Sequence, residues 1–138
     1  MANKWEIKMP EYEVIKITIV EIKPAILKAL CPCGGGGKSD WIIKPDHAVC
    51  SWCGRKLSGD FYAVGRALHG CGGGGESDWL IGTDRVVCTW CGKTWYTDGR
   101  VTGIAKRAAL CSCGGGGKSD WFITENGTWI CSWCGKKR

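Results

Sequence analysis

The chain has no glutamine, two asparagines (Asn3 and Asn126), two phenylalanines, two methionines and two histidines. Depletion of thermolabile amides fits a source that lives hot. With so little phenylalanine and methionine, the apolar content must sit in tryptophan and β-branched residues, not in a leucine-rich helical core. No run approaches the ~18 apolar residues that a membrane span needs. The opening "MANKWEIKMPEYE" lacks the apolar segment of a secretory signal. The expected setting is therefore a reducing, cytoplasmic one without a membrane, where clustered cysteines serve metals more often than disulfides. Catalytic patterns are missing as well. There is no Ser-His-Asp order and no spare His/Asp/Glu cluster. The "GGGGKS" at 34–39 and 114–119 matches only the tail of a phosphate loop, and each copy leads into a strand, not a helix. The chain is read as neither an enzyme nor a binder of a small-molecule substrate.

Three residue types are abundant: 22 glycines, 11 cysteines and 9 tryptophans in 138 residues. They fall into an internal repeat, and a repeat decides the architecture before anything else does. Three copies share A-x-x-x-A-L-[CH]-x-C-G-G-G-G-[KE]-S-D-W-[ILF]-I, a short polar turn, and [VI]-C-[ST]-W-C-G-[RK]. They run over 25–56, 63–93 and 105–136, with the linkers "LSGDFY" and "TWYTDGRVTGI" between them. The expected domains are an N-terminal β-arm (1–24), a first unit with its linker (25–62), a second (63–104), and a third with a basic C-terminus (105–138). Within each unit "SDW…C" reads as a hairpin. Its turn is Pro45-Asp46-His47 in the first copy, which would leave His47 solvent-exposed in a turn, and Gly82-Thr83-Asp84 in the second. In the third it is Asn126-Gly127, a dipeptide that favours φ > 0 at both central residues. The six residues before each first cysteine or histidine suit a helical turn or a strand equally. "EYEVIKITIVEIK" in the arm is β-branched and semi-alternating. It is expected to be a long strand covering the edge of the first hairpin, or one that adds to a neighbouring molecule.

The cysteines come as two close pairs per copy, one at each end of a hairpin, so that pairing of the strands brings four ligands together. The sets are Cys31, Cys33, Cys50 and Cys53; His69, Cys71, Cys88 and Cys91; and Cys111, Cys113, Cys131 and Cys134. The decisive residue is His69. A disulfide cannot use a histidine, and the thiol total is odd. Zinc accepts either a thiolate or an imidazole in a closed tetrahedral site. Dithiol redox chemistry lacks a suitable scaffold here. Iron suits the two all-cysteine sets but fits the histidine set less easily. Three zinc ions per chain are expected, two held by four cysteines and one by three cysteines and a histidine.

The segments "CSWCGRK", "CTWCGKT" and "CSWCGKK" resemble the second knuckle of zinc ribbons, the rubredoxin-like C-x-x-C-G pattern followed by a basic residue. The resemblance covers about 31–56, 69–93 and 111–136. It implies a small, all-β, metal-stabilised fold: three tandem zinc β-ribbon hairpins preceded by a β-strand arm. The first pair departs from the family pattern, being C-x-C or H-x-C followed by four glycines where zinc ribbons usually have C-x-x-C. That leaves the shape of the first knuckle open, and the pattern says little about function.

The remaining features bear on partners. The four-glycine runs (34–37, 72–75 and 114–117) are either tightly wound loops or nests of N–H groups for an anion. Trp41, Trp79 and Trp121 are expected to cover the hairpins, because a ribbon of ~30 residues has almost no core. Trp52, Trp90 and Trp133 lie inside the C-x-x-C loops and are expected to point outward, to stack on bases or to contact protein. The formal charge is +6. Eleven thiolates and three zinc ions would bring it near +1. The excess lies in the third unit, which ends "GKKR". Lys38, Lys118, Lys136, Lys137 and Arg138 are therefore candidate phosphate contacts. The second unit, with Glu76 in place of lysine, reads as a spacer between two more basic ones. The expected function is a non-catalytic zinc-ribbon array that binds nucleic acid, RNA or single strands, within a larger assembly. The alternative is a structural subunit of a ribosome, virion or filament, making protein contacts through its arm and its tryptophans.

Overall fold

The computed structural model describes residues 13–17, 25–32, 37–69, 75–111 and 118–138. Among them the protein is all-β. No helix is present, and so none is long and apolar enough to cross a membrane. The strands are β1 (Glu13–Lys16), β2 (Ile26–Leu30), β3 (Lys38–Ile43), β4 (His47–Cys50), β5 (Lys56–Ser58) and β6 (Phe61–Leu68). Then follow β7 (Glu76–Gly82), β8 (Arg85–Cys88), β9 (Thr94–Tyr96), β10 (Val101–Leu110), β11 (Lys118–Thr124) and β12 (Trp129–Cys131). They form three antiparallel sheets of four strands, in the orders β2-β3-β4-β5, β6-β7-β8-β9 and β1-β10-β11-β12.

Each repeat is thus larger than a hairpin. The segments that suited helix or strand are strands β2, β6 and β10, which pair with the first strand of each hairpin. Parts of both linkers are strands too. Lys56–Ser58 and Thr94–Tyr96 add a fourth strand after the knuckle, and β6 and β10 already begin at Phe61 and Val101. In the third unit the C-terminus takes the place of that fourth strand. Trp129 and Arg138 exchange both backbone hydrogen bonds, at 3.1 and 2.8 Å, and Ile130 bridges to Lys137.

Three further expectations change. The described part of the arm, β1, does not cover the first hairpin; it pairs with β10 of the third unit, Ile15 opposite Ile104. Among the described residues β2 meets the second unit through Ala29 and the Leu30 N–H, while β1 completes the third sheet on its β10 side. Residues 1–12 and 18–24 lie outside the described residues. His47 is not a turn residue but opens β4, opposite Ser58, and its ring meets Asp46 at 2.7 Å. The Asn126-Gly127 turn has a single residue at positive φ, Gly127 at 85°. Its N–H donates to the Thr124 carbonyl at 2.9 Å, and Thr124 N–H donates to Thr128. One extra loop residue makes this a longer turn closed by a left-handed glycine, which relieves Asn126 of positive φ.

Alternation along a strand sends successive side chains to opposite faces. In S-D-W-I the serine and tryptophan share one face, and the aspartate and the following apolar residue the other. Trp41, Trp79 and Trp121 are all fully buried. Each donates its indole N–H to the carbonyl of Ala29, Ala67 or Ala109, at 3.1–3.2 Å. The sheets stack so that the tryptophan face of one unit is covered by the outer face of the next. Ala29, Trp41, Ala48 and Leu57 of the first unit pack with Phe61, Leu80 and Val87 of the second. Ala67, Trp79 and Val86 of the second pack with Ile104, Phe122 and Ile130 of the third, and Trp79 meets Phe122 edge to face at 5.3 Å. Stacking supplies the apolar burial that a single small sheet lacks.

The aspartates of S-D-W lock these junctions. Asp78 accepts the Leu30 N–H of the first unit at 2.9 Å, and Asp120 accepts the Leu68 N–H of the second at 2.9 Å. Both carboxylates are fully buried, and buried charge is tolerated only when paired. Arg66 holds Asp78 at 2.8 Å. Arg107 and Lys106 hold Asp120 at 2.8 and 3.1 Å. The third unit has a local device for this. Between Ala105 and Ala109 the strand β10 carries two residues more than β11 opposite it, a bulge in which Arg107 sits at φ 50°. Left-handed backbone is unfavourable for a residue with a Cβ. Here the Arg107 N–H (2.7 Å) and guanidinium both bind Asp120. Glu76 completes the cluster, accepting from Lys106 at 2.9 Å and Arg107 at 3.1 Å, with Arg66 at 3.3 Å. The second unit is therefore no neutral spacer. Its Glu76 is the hub of the second junction.

Candidate metal centres

The knuckles are built alike in all three units. Trp41, Trp79 and Trp121 stand opposite Cys50, Cys88 and Cys131, so the first thiol of each C-x-x-C ends a strand beside the buried indole. The chain then turns on a glycine at positive φ: 80° at Gly54, 80° at Gly92 and 82° at Gly135. Each of these glycines donates its N–H back to the carbonyl of Cys50, Cys88 or Cys131 at 2.8 Å. A side chain is disfavoured at such a φ, which is why glycine follows every C-x-x-C.

These turns bring together Cys31, Cys50 and Cys53; His69, Cys88 and Cys91; and Cys111, Cys131 and Cys134. In each group the ligand atoms lie within 4.8 Å of one another, near enough to hold a metal ion. The contacts include Cys31 Sγ to Cys53 Sγ at 3.7 Å, Cys111 Sγ to Cys134 Sγ at 3.5 Å, and His69 Nε2 to Cys91 Sγ at 3.2 Å. None is a disulfide. The other three expected ligands, Cys33, Cys71 and Cys113, lie outside the described residues, as do most of the four-glycine runs. Gly37 and Gly75 are described, and their carbonyls accept the N–H groups of Cys31 (3.4 Å) and His69 (3.1 Å).

His69 is oriented from behind. Its Nδ1 faces the Ser132 carbonyl of the third unit at 3.2 Å, which places the proton on Nδ1 and turns the Nε2 lone pair toward Cys91. The ring stands edge-on to Trp79 at 4.8 Å and to Trp95 at 6.0 Å. Burial chiefly lowers its pKa, which keeps the imidazole neutral, as a metal ligand must be. Trp95 donates to the same Ser132 carbonyl at 3.0 Å. The histidine thus replaces cysteine in the unit whose cluster also reaches into the next knuckle.

The thiols differ. At Cys50 burial raises the pKa, but the amides of Cys53 and Trp52 and the Ser39 hydroxyl outweigh it and bring it to about 6. At Cys88 burial wins over the same kind of donors, the Cys91 and Trp90 amides and Ser77, and pushes the thiol up to about 12. The physical difference is depth: Cys88 lies between stacked units, while the first knuckle faces solvent on one side. The S-D-W serine is thus a hydrogen-bonding neighbour of the strand-end cysteine.

The contact candidates divide. Trp52 is 75% exposed. Trp90 and Trp133 are half-buried; Trp90 packs on the core shared by the second and third units, and Trp133 on the Trp121 cluster within its own unit. Arg55 of the first unit donates to the Trp90 carbonyl at 3.0 Å. Lys38 lies 4.0 Å from Asp78. Lys118, Lys136, Lys137 and Arg138 are exposed, and the Arg138 guanidinium lies 4.9 Å over the Trp121 ring. Sequence reasoning missed the junction residues Asp78, Asp120, Arg66, Lys106 and Arg107. The signal was available, since an aspartate precedes the buried tryptophan in every copy.

Compared with protein-family models, curated proteins and solved structures, the chain matches none.

Proposed function

We propose that the chain is a non-catalytic, zinc-stapled array of three β-ribbons that serves as a structural subunit of a larger assembly. The donor chemistry suits zinc. Two thiolates on a tetrahedral zinc ion with bonds of ~2.3 Å would stand about 3.8 Å apart, against the 3.5 and 3.7 Å of the two sulfur pairs. Cys33, Cys71 and Cys113 would complete the three sites, giving two four-cysteine sites and one of three cysteines and a histidine. The metal would close each knuckle and supply folding energy that a short ribbon lacks.

One observation carries the structural reading: the outer faces of the second and third units are spent on stacking one unit on the next, and Trp90 packs on the core that these two units share. An array that offered each ribbon to a nucleic acid would leave those surfaces open. Glu76 also occupies the place where a phosphate-tracking array would repeat a lysine. The second reading, binding of single-stranded nucleic acid, is favoured by the exposed Trp52 beside Arg55 and Lys56. A salt series on the zinc-loaded chain with single-stranded RNA decides between them. Affinity that falls steeply with salt would establish the nucleic-acid reading; no binding even at low salt is the result expected here. Metal analysis should give three zinc ions per chain, and fewer than two would defeat the zinc assignment.

A further inference from the structure

The two ends of the stack differ from its middle. In the second unit the outer face carries Leu80 and Val87, buried under the first unit; in the third it carries Phe122 and Ile130, buried under the second. The strand register places Ile42 and Val49 at the same positions in the first unit. There Ile42 is 36% exposed, and the neighbouring Ile26, equivalent to the buried Ile104, is 51% exposed. The knuckle follows suit, since Trp52 is open where Trp90 and Trp133 are half-buried. So does the aspartate: the Asp40 side chain is 43% exposed and holds Lys28 on the surface, whereas Asp78 and Asp120 each accept a leucine N–H from the preceding unit. At the opposite end Leu110 stands opposite Lys118, as Leu30 stands opposite Lys38. Its N–H occupies the place of those that Asp78 and Asp120 receive.

We propose that these two end faces are one interface: the first unit of one molecule stacks on the third unit of another copy, repeating the internal junction, so that the chain assembles head to tail. This rests on the structural reading above and names the partner as a second copy. The residue after the glycines argues for this pairing. Lys38 faces a second unit whose β6 carries no such bulge. Glu76 faces the third unit, whose bulge thrusts Lys106 and Arg107 at it. Lys118 is again a lysine, and the first unit has no bulge, so the third unit carries the residue that suits a first unit. Lys28 does not oppose this, because Arg66 stands at the same register position opposite the buried Asp78, and Lys106 likewise reaches the buried Asp120. A heterologous contact of this kind does not close on itself, so assembly continues beyond the dimer.

The test is sedimentation velocity of the full zinc-loaded chain across a concentration series, with two variants, Asp40→Lys and Lys118→Glu. Zinc content and circular dichroism check that each variant folds. The wild-type mass should rise with concentration past two copies of the 15.0 kDa chain. Lys118→Glu alone should associate several-fold more weakly, the usual worth of one ion pair at such a contact, and Asp40→Lys at least tenfold, since it also removes the acceptor for the Leu110 N–H. Mixing the two should restore assembly, because each supplies the other's intact face. Ile42→Glu should weaken association at least tenfold by placing a charge in the apolar contact. A wild-type chain that carries three zinc ions and stays monomeric overturns the proposal while leaving the structural reading intact. Dimers that stop at two copies and ignore Lys118→Glu overturn it in favour of a symmetric contact between first units. Salt-sensitive RNA binding by a monomeric chain overturns both the proposal and the structural reading.

Discussion

Glu76 is the residue whose replacement tests the stacked architecture most directly. It lies where the other two copies have lysine, so an account based on the repeat alone would call Glu76→Lys harmless, even restorative. The structure says otherwise. Burial raises the Glu76 pKa, but hydrogen bonds from Lys106 and Arg107 and their charges more than offset it and hold the carboxyl at about 2, against an ordinary 4.5. A shift of one unit corresponds to about 1.36 kcal/mol, so the upper bound for the cluster is about 3 kcal/mol. The Glu76 side chain is 26% exposed, and solvent screening reduces that bound, to about 1–3 kcal/mol. Glu76→Gln should therefore lower the unfolding free energy at pH 7 by that amount. Glu76→Lys should lower it further, since a fourth cation would face Arg66, Lys106 and Arg107. The sign in pH follows from a depressed carboxylate. Its contribution is complete above the unfolded value of 4.5 and disappears as pH falls through about 2, so the gap between wild type and Glu76→Gln should narrow over that window. Denaturant unfolding of both zinc-loaded proteins measures the gap. A difference under about 0.5 kcal/mol at pH 7, typical of ordinary surface substitutions, would refute the claim that Glu76 binds the second unit to the third.

Other substitutions probe the knuckles and the buried carboxylates. Gly54→Ala and Gly135→Ala share the same unfavourable φ, but a Cβ at Gly54 meets nothing within 4 Å whereas one at Gly135 would come within 2.5 Å of the Trp95 ring. Denaturant unfolding should give about 1–2 kcal/mol for the first, from backbone strain, and about 1–3 kcal/mol more for the second, from overpacking. His69→Cys should retain three zinc ions by metal analysis, while His69→Ala should lower the affinity of the middle site without touching the outer two. Asp120→Ala would leave Arg107, Lys106 and the Leu68 N–H without their buried acceptor and should cost about 3–5 kcal/mol. Asp40→Ala, at the equivalent but exposed position, should cost under about 1 kcal/mol in dilute solution.

The sequence revealed the local chemistry because that chemistry is written in nearby residues. The spacing of C-x-x-C-G, the exchange of a cysteine for His69, and the tryptophan following Ser-Asp all act within one unit, and the three clusters formed as the pairing of those residues required. What acts between units was less legible. The arm was expected to cover the first hairpin because it is nearest in sequence, yet β1 lies on β10, some ninety residues away. The bulge in β10 could not be seen because the third copy aligns with its siblings without a gap. Only the strand register reveals that Ala105 stands opposite its tryptophan where Leu27 and Gly65 stand opposite theirs.

The same point explains why identical motifs acquired different roles. A stack of copies makes every internal face a contact between a preceding and a following unit, so a position is constrained by what lies across the junction and not only by its own repeat. Asp40, Asp78 and Asp120 are one residue in the motif, but burial separates the first from the other two. Lys38, Glu76 and Lys118 are one position, but the bulge of the third unit reverses the charge required of its predecessor. Trp52, Trp90 and Trp133 are one aromatic, but Trp52 is exposed while Trp90 packs on the core shared by the second and third units and Trp133 on the Trp121 cluster of its own unit. Each departure from the repeat is therefore a statement about the neighbour. The first unit keeps the motif but leaves Ile26 and Ile42 exposed where the third unit buries Ile104 and Phe122, and that difference is what the proposed contact with a second copy would remove.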